Sequence, residues 1–507
     1  MAQADSEGYI LAIDQGTTGT TCIIFDRKAN VIGRSYAPVR QIYPQPGWVE
    51  HDPVDIWNGV LAAVREVVQQ SNIPYAALKA IGITNQRETV VLWDKNTGLP
   101  VHNAIVWQCR RTTQMCNKLK QEGIEGEIHA KTGLLLDPYF SGTKVAWLLD
   151  NVAGLRERAN KGEILFGTID SWLIWNLTGG RSHQTDMTNA CRTLFYNIHE
   201  LKWDEEILNY LNIPFNMLPD VHPSSFRFGE VAAQTFASDQ LAIPITGVAG
   251  DQQAALFGQA CFQPGNLKVT YGTGAFLLIN TGTTPIESQN GLLTTLAWGY
   301  NNKVEYAIEG STFIAGAAVQ WLRDEMKIVT NAAETEQMAL AVPDNGGVYI
   351  VPAFVGLGAP YWDSTARGAV FGLTRGSNRN HLVRAALESI AYQVRDVLEA
   401  MKQDSGLEFD EIKVDGGAVA NNFLMQFQAD MMGTSVIRPK VIETTALGAA
   451  YLAGLAVGYW SSQKEIATLW QADQVFTSRL NEQTRQKQYA SWKRAVSRAL
   501  DWEEPDS

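Results

Sequence analysis

The chain has 507 residues, 45% of them hydrophobic, and a formal net charge of −12. That length exceeds what one hydrophobic core usually fills, so two domains are expected. The acidic balance, with no block of lysine or arginine, argues against nucleic acid or an anionic membrane surface as partner, since both need a concentrated positive field, and leaves a small molecule as the expected ligand.

The N-terminal "MAQADSEGY" lacks the basic and apolar regions of a signal peptide and reads as a short tail. After it come strand-like "YILAID", a Gly-Thr turn and strand-like "CIIFD". "DPVDIWNGVLAAVREVVQQ" follows, with an Asp-Pro start and apolar residues at helical spacing. "LKAIGITNQRETVVLWD" then gives two β-rich runs around a polar corner. Helix and strand signals keep alternating to the C-terminus, which predicts α/β architecture.

Glycine content rises from Gly247 to Asn280, and the domain boundary is placed near residues 255 to 265, dividing the chain into 1–260 and 261–507. Beyond it, "LKVTYGTGAFLLIN" repeats the opening device of apolar strand, Gly-Thr turn and apolar strand, which suggests a duplicated unit. "TALGAAYLAGLAVGYW" is uncharged but shorter than the roughly 20 residues of a bilayer span, and its Ala and Gly content predicts a tightly packed helix. The five cysteines, Cys22, Cys109, Cys116, Cys191 and Cys261, form no CxxC pair and read as reduced core residues, in keeping with a cytoplasmic compartment.

Two facing Gly-Thr hairpins would surround a polyphosphate with backbone N–H groups and the hydroxyls of Thr17, Thr18 and Thr273; taken singly, each is also an ordinary turn. Asp14, repelled by phosphate, is suited to hold Mg²⁺ through water. No P-loop, kinase catalytic loop or dinucleotide fingerprint is present. Gly416 and Gly417, where strand "EIKVDGG" meets a helix, leave room for a flat ring, and Asn421, read as one turn into that helix, is placed to bond adenine or ribose. Arg87 and Glu88 stand side by side in an apolar segment, either as a plain salt bridge or as the donor and acceptor for a hydroxyl-rich substrate. Asp251 reads either as a helix N-cap or as a general base.

With these residues in view, the chain resembles the glycerol kinases of the FGGY carbohydrate kinase family, in the actin/hexokinase superfamily. The resemblance runs through "YILAIDQGTTG", "QIYPQPGWVEHDP", "GITNQRET", "AIVWQCRRT", "DPYFSGTKVAWLLDN", "GVAGDQQAALFGQ", "TYGTGAF", "AGAAVQWLRD" and "VDGGAVANNFLMQFQADMMG" to "TALGAAYLAG". It implies two ribonuclease-H-like domains with the active site in the cleft between them. The first would bind glycerol and hold the base, and the second would bind the nucleotide. It further implies that Arg87, Glu88, Tyr139, Asp251 and Gln252 hold glycerol hydroxyls, with Trp107 and Phe276 as aromatic walls. Thr17, Thr18, Gly19, Thr273, Gly316, Gln320, Gly417 and Asn421 would contact ATP, Asp14 would lie near Mg²⁺, and Asp251 would be the catalytic base. Homodimers or homotetramers are usual among such relatives.

Two departures stand out. Thr21 replaces an arginine expected near the nucleotide phosphates, which lowers the positive charge there. "FRFGEVAAQTFASDQLAIP" lacks the basic glycine-rich loop and the histidine through which some relatives are regulated, so no response to fructose 1,6-bisphosphate is expected. Rival readings are a kinase for another polyol or a pentulose, an actin-like or chaperone-like ATPase without a small acceptor, and a binding module that has lost turnover.

Overall fold

The computed structural model describes residues 8–236 and 242–503. The N-terminal tail read from the sequence, and residues 237–241 of the segment read as lacking an effector loop, lie outside the described residues.

In the first half, β1 (Tyr9–Gln15), β2 (Gly19–Phe25) and β3 (Val31–Pro38) form an antiparallel meander. Helix α1 (Pro53–Ser71) follows, then β4 (Leu78–Asn85), β5 (Ser225–Glu230), β6 (Pro244–Gly250) and helix α2 (Asp251–Gly258). The strands form one sheet in the order β5-β6-β4-β1-β2-β3, with β4 parallel to β1 and to β6.

The second half begins with β7 (Leu267–Tyr271), β8 (Ala275–Gly282), β9 (Leu293–Tyr300), β10 (Lys303–Thr312), α3 (Gly316–Asp324) and α4 (Arg379–Ser405). It continues with β11 (Glu411–Asp415), α5 (Asn422–Met432), β12 (Ser435–Pro439), α6 (Thr444–Ala456) and β13 (Ala472–Phe476). Its sheet runs β9-β10-β8-β7-β11-β12-β13. The segments β3-β2-β1-β4-β6 and β10-β8-β7-β11-β12 therefore share one plan, three antiparallel strands followed by two parallel ones. This is the ribonuclease-H-like arrangement, twice over, and the repeated Gly-Thr turn occupies the same place in each copy.

Local chemistry explains the elements. Asp52 caps α1 by accepting from the Val54 N–H at 2.8 Å, Pro53 opens the helix, and Asn72 closes it in a left-handed conformation (φ 54°). Along β1, Leu11 and Ile13 enter the core under α1, whereas Ile10 and Ala12 enter the core with α2 and α6. Alternation along one strand thus feeds two layers.

Helix α6 comes from the second half but lies across the first half's sheet. Its approach needs glycine on both sides: a Cβ on Gly82 would stand 2.2 Å from the Ala449 carbonyl oxygen, and one on Gly247 2.3 Å from the Ala453 nitrogen. The segment expected to be a packed helix is therefore a second-half element seated on the first half's sheet and on α2. All five cysteines are buried and free, and no helix among the described residues is long and apolar enough to cross a membrane.

Candidate active site

Each Gly-Thr turn is closed by the N–H of its first glycine, across three residues in the first turn and two in the second. Gly16 N–H donates to Gly19 O and Gly272 N–H to Gly274 O, each at 2.9 Å. Tyr36 lies against Gly19, where a Cβ would come within 2.5 Å of its ring, and its hydroxyl donates to the Thr18 carbonyl at 3.0 Å. Thr17 Oγ1 accepts from Trp107 Nε1 at 2.9 Å, and Trp107 meets the edge of Tyr139 with ring centroids 5.5 Å apart, so the first hairpin and the expected aromatic wall form one unit.

In the second half, the start of α3 is fastened to the second hairpin. Gly316 N–H donates to Gly272 O at 2.9 Å, while Ala315 and Ala317 N–H reach the Thr273 carbonyl at 2.8 and 3.0 Å. Gln320 is exposed one turn further along α3. Gly416 adopts φ 91° with no room for a Cβ, which would lie 2.4 Å from Tyr271 O, whereas a Cβ on Gly417 would meet nothing within 4 Å. Of the two glycines, Gly417 alone borders open space. Asn421 requires a correction: a 3₁₀ turn, Gly417–Ala420, intervenes, so Asn421 is the N-cap of α5 and not a residue inside it. Its side chain accepts from Leu424 N–H at 3.0 Å and donates to Thr335 Oγ1 at 3.1 Å.

Asp14, paired in register with Thr21, lies near the end of β1. Burial pushes its carboxyl up to about 8, the carboxylates of Asp251 and Glu443 add to the rise, and Arg34 opposes it. Arg34 is itself held by Glu443 at 3.1 Å. A divalent cation beside Asp14 would relieve the repulsion that Asp251 and Glu443 exert on its ionised form. Among the described residues no group of three or more His, Cys, Asp or Glu could enclose a metal. A hydrated Mg²⁺ does not need one, because one or two carboxylates with water and phosphate oxygens suffice.

The polar cluster at the base of the cleft is more elaborate than the sequence reading. Arg87 does not use its fork on Glu88, whose Oε1 stands 3.8 Å from Arg87 Nε. The fork instead grips Glu309 of β10, Nη1 to Oε2 at 2.6 Å and Nη2 to Oε1 at 2.7 Å, and Nη1 also donates to Gln253 Oε1 at 3.1 Å. Glu88 is bound by Arg192 Nε at 2.7 Å. Its backbone is in the left-handed region (φ 64°), an uncommon state for a residue with a side chain, which aims it away from its neighbour's fork. Burial raises the Glu88 carboxyl, against the pull of Arg87 and Arg192. Burial would also raise Glu309, but Arg192 and Arg87 hold it at about 2.

Asp251 opens α2 as its first residue. The N-cap is Gly250 and no side chain caps the helix, so the plain capping reading of Asp251 fails. Its Oδ1 lies 3.2 Å from Arg87 Nε and 30% of its side chain is exposed, which leaves the carboxylate open to the cleft. Burial raises its proton affinity, opposed by Arg87 and Lys268. A Cβ on Gly250 would strike Arg87 Cδ at 2.6 Å, so this glycine makes the approach possible. Gln252 Oε1 accepts from Lys268, which also donates to Thr270 Oγ1 at 2.8 Å and to the carbonyl of Phe276 at 3.4 Å.

Arg192, Gln253, Lys268 and Glu309 were missing from the sequence reading. Three of them carry the signal that singled out Arg87 and Glu88, a charge within an apolar or small-residue run: "NACRTLF", "LKVTY" and "YAIEG".

The N-terminal domain model of the FGGY family of carbohydrate kinases matches residues 9–258, and its C-terminal domain model matches residues 267–457. Glycerol kinase 2 of Thermotoga maritima is 62% identical over 98% of this chain and 99% of its own length. A glycerol kinase of Caldanaerobacter subterraneus is 60% identical over the same shares. The crystal structure of Plasmodium falciparum glycerol kinase with ADP superimposes with a TM-score of 0.92 at 39% identity, covering 97% of this chain and 98% of that one. The paired hairpins, the cleft between two matching sheets and these likenesses agree: the chain belongs to the FGGY family of carbohydrate kinases.

Proposed function

We propose that the chain is an ATP:glycerol 3-phosphotransferase that makes sn-glycerol 3-phosphate and ADP in the cleft between its halves. The observation that carries this reading is the Asp251 carboxylate, open to the cleft, raised in proton affinity and 3.2 Å from a buried arginine donor. The 62% identity to a glycerol kinase over nearly the whole chain supports the choice of acceptor.

In this reading Asp251 accepts the proton of a terminal glycerol hydroxyl as it attacks the γ-phosphorus, a contribution typically of about 10² to 10⁴-fold. Arg87 Nε donates to one hydroxyl and Glu88 accepts from another, while Tyr139 and Gln252 orient the remainder. Trp107 and Phe276 wall the carbon chain. Glycerol has few atoms, so charged hydrogen bonds of roughly 1.5 to 3 kcal/mol decide its affinity more than buried area.

Residues 1–260 supply the base and, apart from Phe276, the acceptor site, and residues 261–507 supply most of the nucleotide site. Backbone N–H groups of the Gly16 and Gly272 turns, with Thr17, Thr18, Gly19 and Thr273, face the phosphates. Gly316, Gln320, Gly417 and Asn421 face the rest of the nucleotide, Asn421 through whatever capacity its capping role leaves. Mg²⁺, near Asp14, would neutralise charge on the phosphoryl oxygens. Thr21 adds no positive charge there, so the turns carry the phosphates through backbone donors. Cytoplasmic residence and assembly as a homodimer or homotetramer belong to the same reading, and sedimentation tests the assembly.

The test is ADP release from Mg-ATP with and without glycerol, together with identification of the product. Glycerol-dependent ADP with matching sn-glycerol 3-phosphate is expected. ADP at the same rate without glycerol would move the chain to the ATPase class, and a pentulose preferred over glycerol would reassign the acceptor.

A further inference from the structure

We propose that Glu309 is a positioning residue for glycerol recognition, a carboxylate from the second half that fixes the guanidinium of Arg87 so that Nε faces the substrate. Glu309 is buried in β10, a strand hydrogen-bonded on both sides, with Leu278 of β8 and Leu293 of β9 as its register partners. Its backbone is therefore held by the second half's sheet, while the arginines it binds, Arg87 and Arg192, belong to the first half.

Arginine has five N–H groups in a fixed fork. Both Nη atoms of Arg87 are committed to Glu309, at 2.6 and 2.7 Å, and Nη1 also to Gln253. These bonds use three of the five N–H groups; of the two that remain, Nε is the one beside Asp251, 3.2 Å from Oδ1. Arg192 extends the arrangement, with Nη2 3.2 Å from Glu309 and Nε 2.7 Å from Glu88. Charges alternate from Glu88 through Arg192, Glu309 and Arg87 to Asp251, and the two ends and the fourth member are the groups assigned to glycerol and its proton. Glu309 touches no substrate in this scheme; it acts through Arg87. Because it comes from the opposite sheet, the shape of the glycerol site depends on how the two halves are seated.

This inference rests on the reading of Arg87 as a glycerol ligand, and the experiment separates the two. KM for glycerol, KM for ATP and kcat are measured for the parent, Arg87→Ala, Glu309→Gln and the double variant. Glu309→Gln is expected to raise KM for glycerol about 10-fold or more, with KM for ATP within about twofold, as for loss of a charged hydrogen bond that orients one ligand. In the Arg87→Ala background the same change should add less than about threefold, since coupled residues are not additive. A parental KM for glycerol in Glu309→Gln, or effects that multiply in the double variant, would overturn the proposal. A parental KM in Arg87→Ala would instead overturn the ligand reading, and the proposal with it. Should Glu309→Gln fail to fold, Glu309→Asp keeps the charge but is one methylene too short to meet both Nη atoms. A rise of at least about threefold in KM for glycerol is then expected, and an unchanged KM overturns the proposal.

Discussion

Gly448→Ala tests whether α6 sets the position of Asp251, the proposed catalytic base. Helices α2 and α6 cross backbone to backbone: a Cβ on Gly448 would lie 1.8 Å from the carbonyl oxygen of Ala254 and 3.0 Å from the nitrogen of Gly258. The reverse contact is as close, since a Cβ on Gly258 would lie 2.0 Å from Thr444 O. Ordinary contact begins near 3.4 Å, so the alanine methyl forces the helices apart by about 1.6 Å, with no flexible side chain to absorb the change. Overpacking of this kind costs about 1 to 3 kcal/mol, partly offset by the roughly 1 kcal/mol that alanine gains over glycine inside a helix.

The effect on catalysis should exceed the effect on stability. Asp251 opens α2, so a displacement of the helix moves the base directly, and about 1 Å of misplacement is worth roughly 10²-fold in rate. The expected result is kcat lowered about 100-fold at saturating glycerol, with a melting temperature only a few degrees below the parent. The assay is steady-state turnover beside a thermal melt of the same preparation. A folded Gly448→Ala protein with kcat within about twofold of the parent would refute the idea that this crossing places the base.

Two further predictions follow from buried charge. Asp14 is raised from an ordinary 3.8 to about 8 in the folded, ligand-free protein, so between those values the folded state holds a proton that the unfolded chain has released. Stability therefore falls as pH rises through this window, and Asp14→Asn, which cannot titrate, should melt higher than the parent at pH 8 and level with it near pH 4; a gain that is the same at both pH values would refute the assignment. Lys268→Met removes the donor to Gln252 while keeping the stem's bulk, and should raise KM for glycerol about 10-fold. An unchanged KM would detach Gln252 from glycerol.

The parts legible in the sequence are those whose signal is local. The two hairpins announce themselves as apolar runs broken by Gly-Thr, because strand alternation and glycine turns are properties of neighbouring residues. Helix α6 was legible for a similar reason: a run of Ala and Gly without charge fits a helix seated against backbone, and Gly448 and Gly258 supply that contact. The end of the "VDGG" segment was misplaced because a 3₁₀ turn and an α-helix share the same start signals, which moved Asn421 from the helix interior to its cap. The charge network was only half legible. Arg87 is conspicuous as a buried charge, but its partner Glu309 lies 222 residues away, and nothing local says which distant carboxylate neutralises it.

That non-local pairing gives Asp251 two separate supports. Its position is set by α2, which α6 holds from behind; its electrostatic setting comes from Arg87, which Glu309 holds from the opposite sheet. Both supports originate in the second half, although the base belongs to the first. Under the role proposed for Asp251, the base would be correctly placed and correctly charged only while the halves are seated together, which would couple proton acceptance to that seating. The two supports also act on different quantities. Displacing α2 moves the base relative to a bound hydroxyl and should lower kcat, whereas loosening Glu309 frees the Arg87 fork and should weaken glycerol binding first. Separation of kcat and KM between Gly448→Ala and Glu309→Gln is thus the behaviour expected of one carboxylate held by two independent contacts, and variants that changed both constants in parallel would mean that the crossing and the ion pair move as one body.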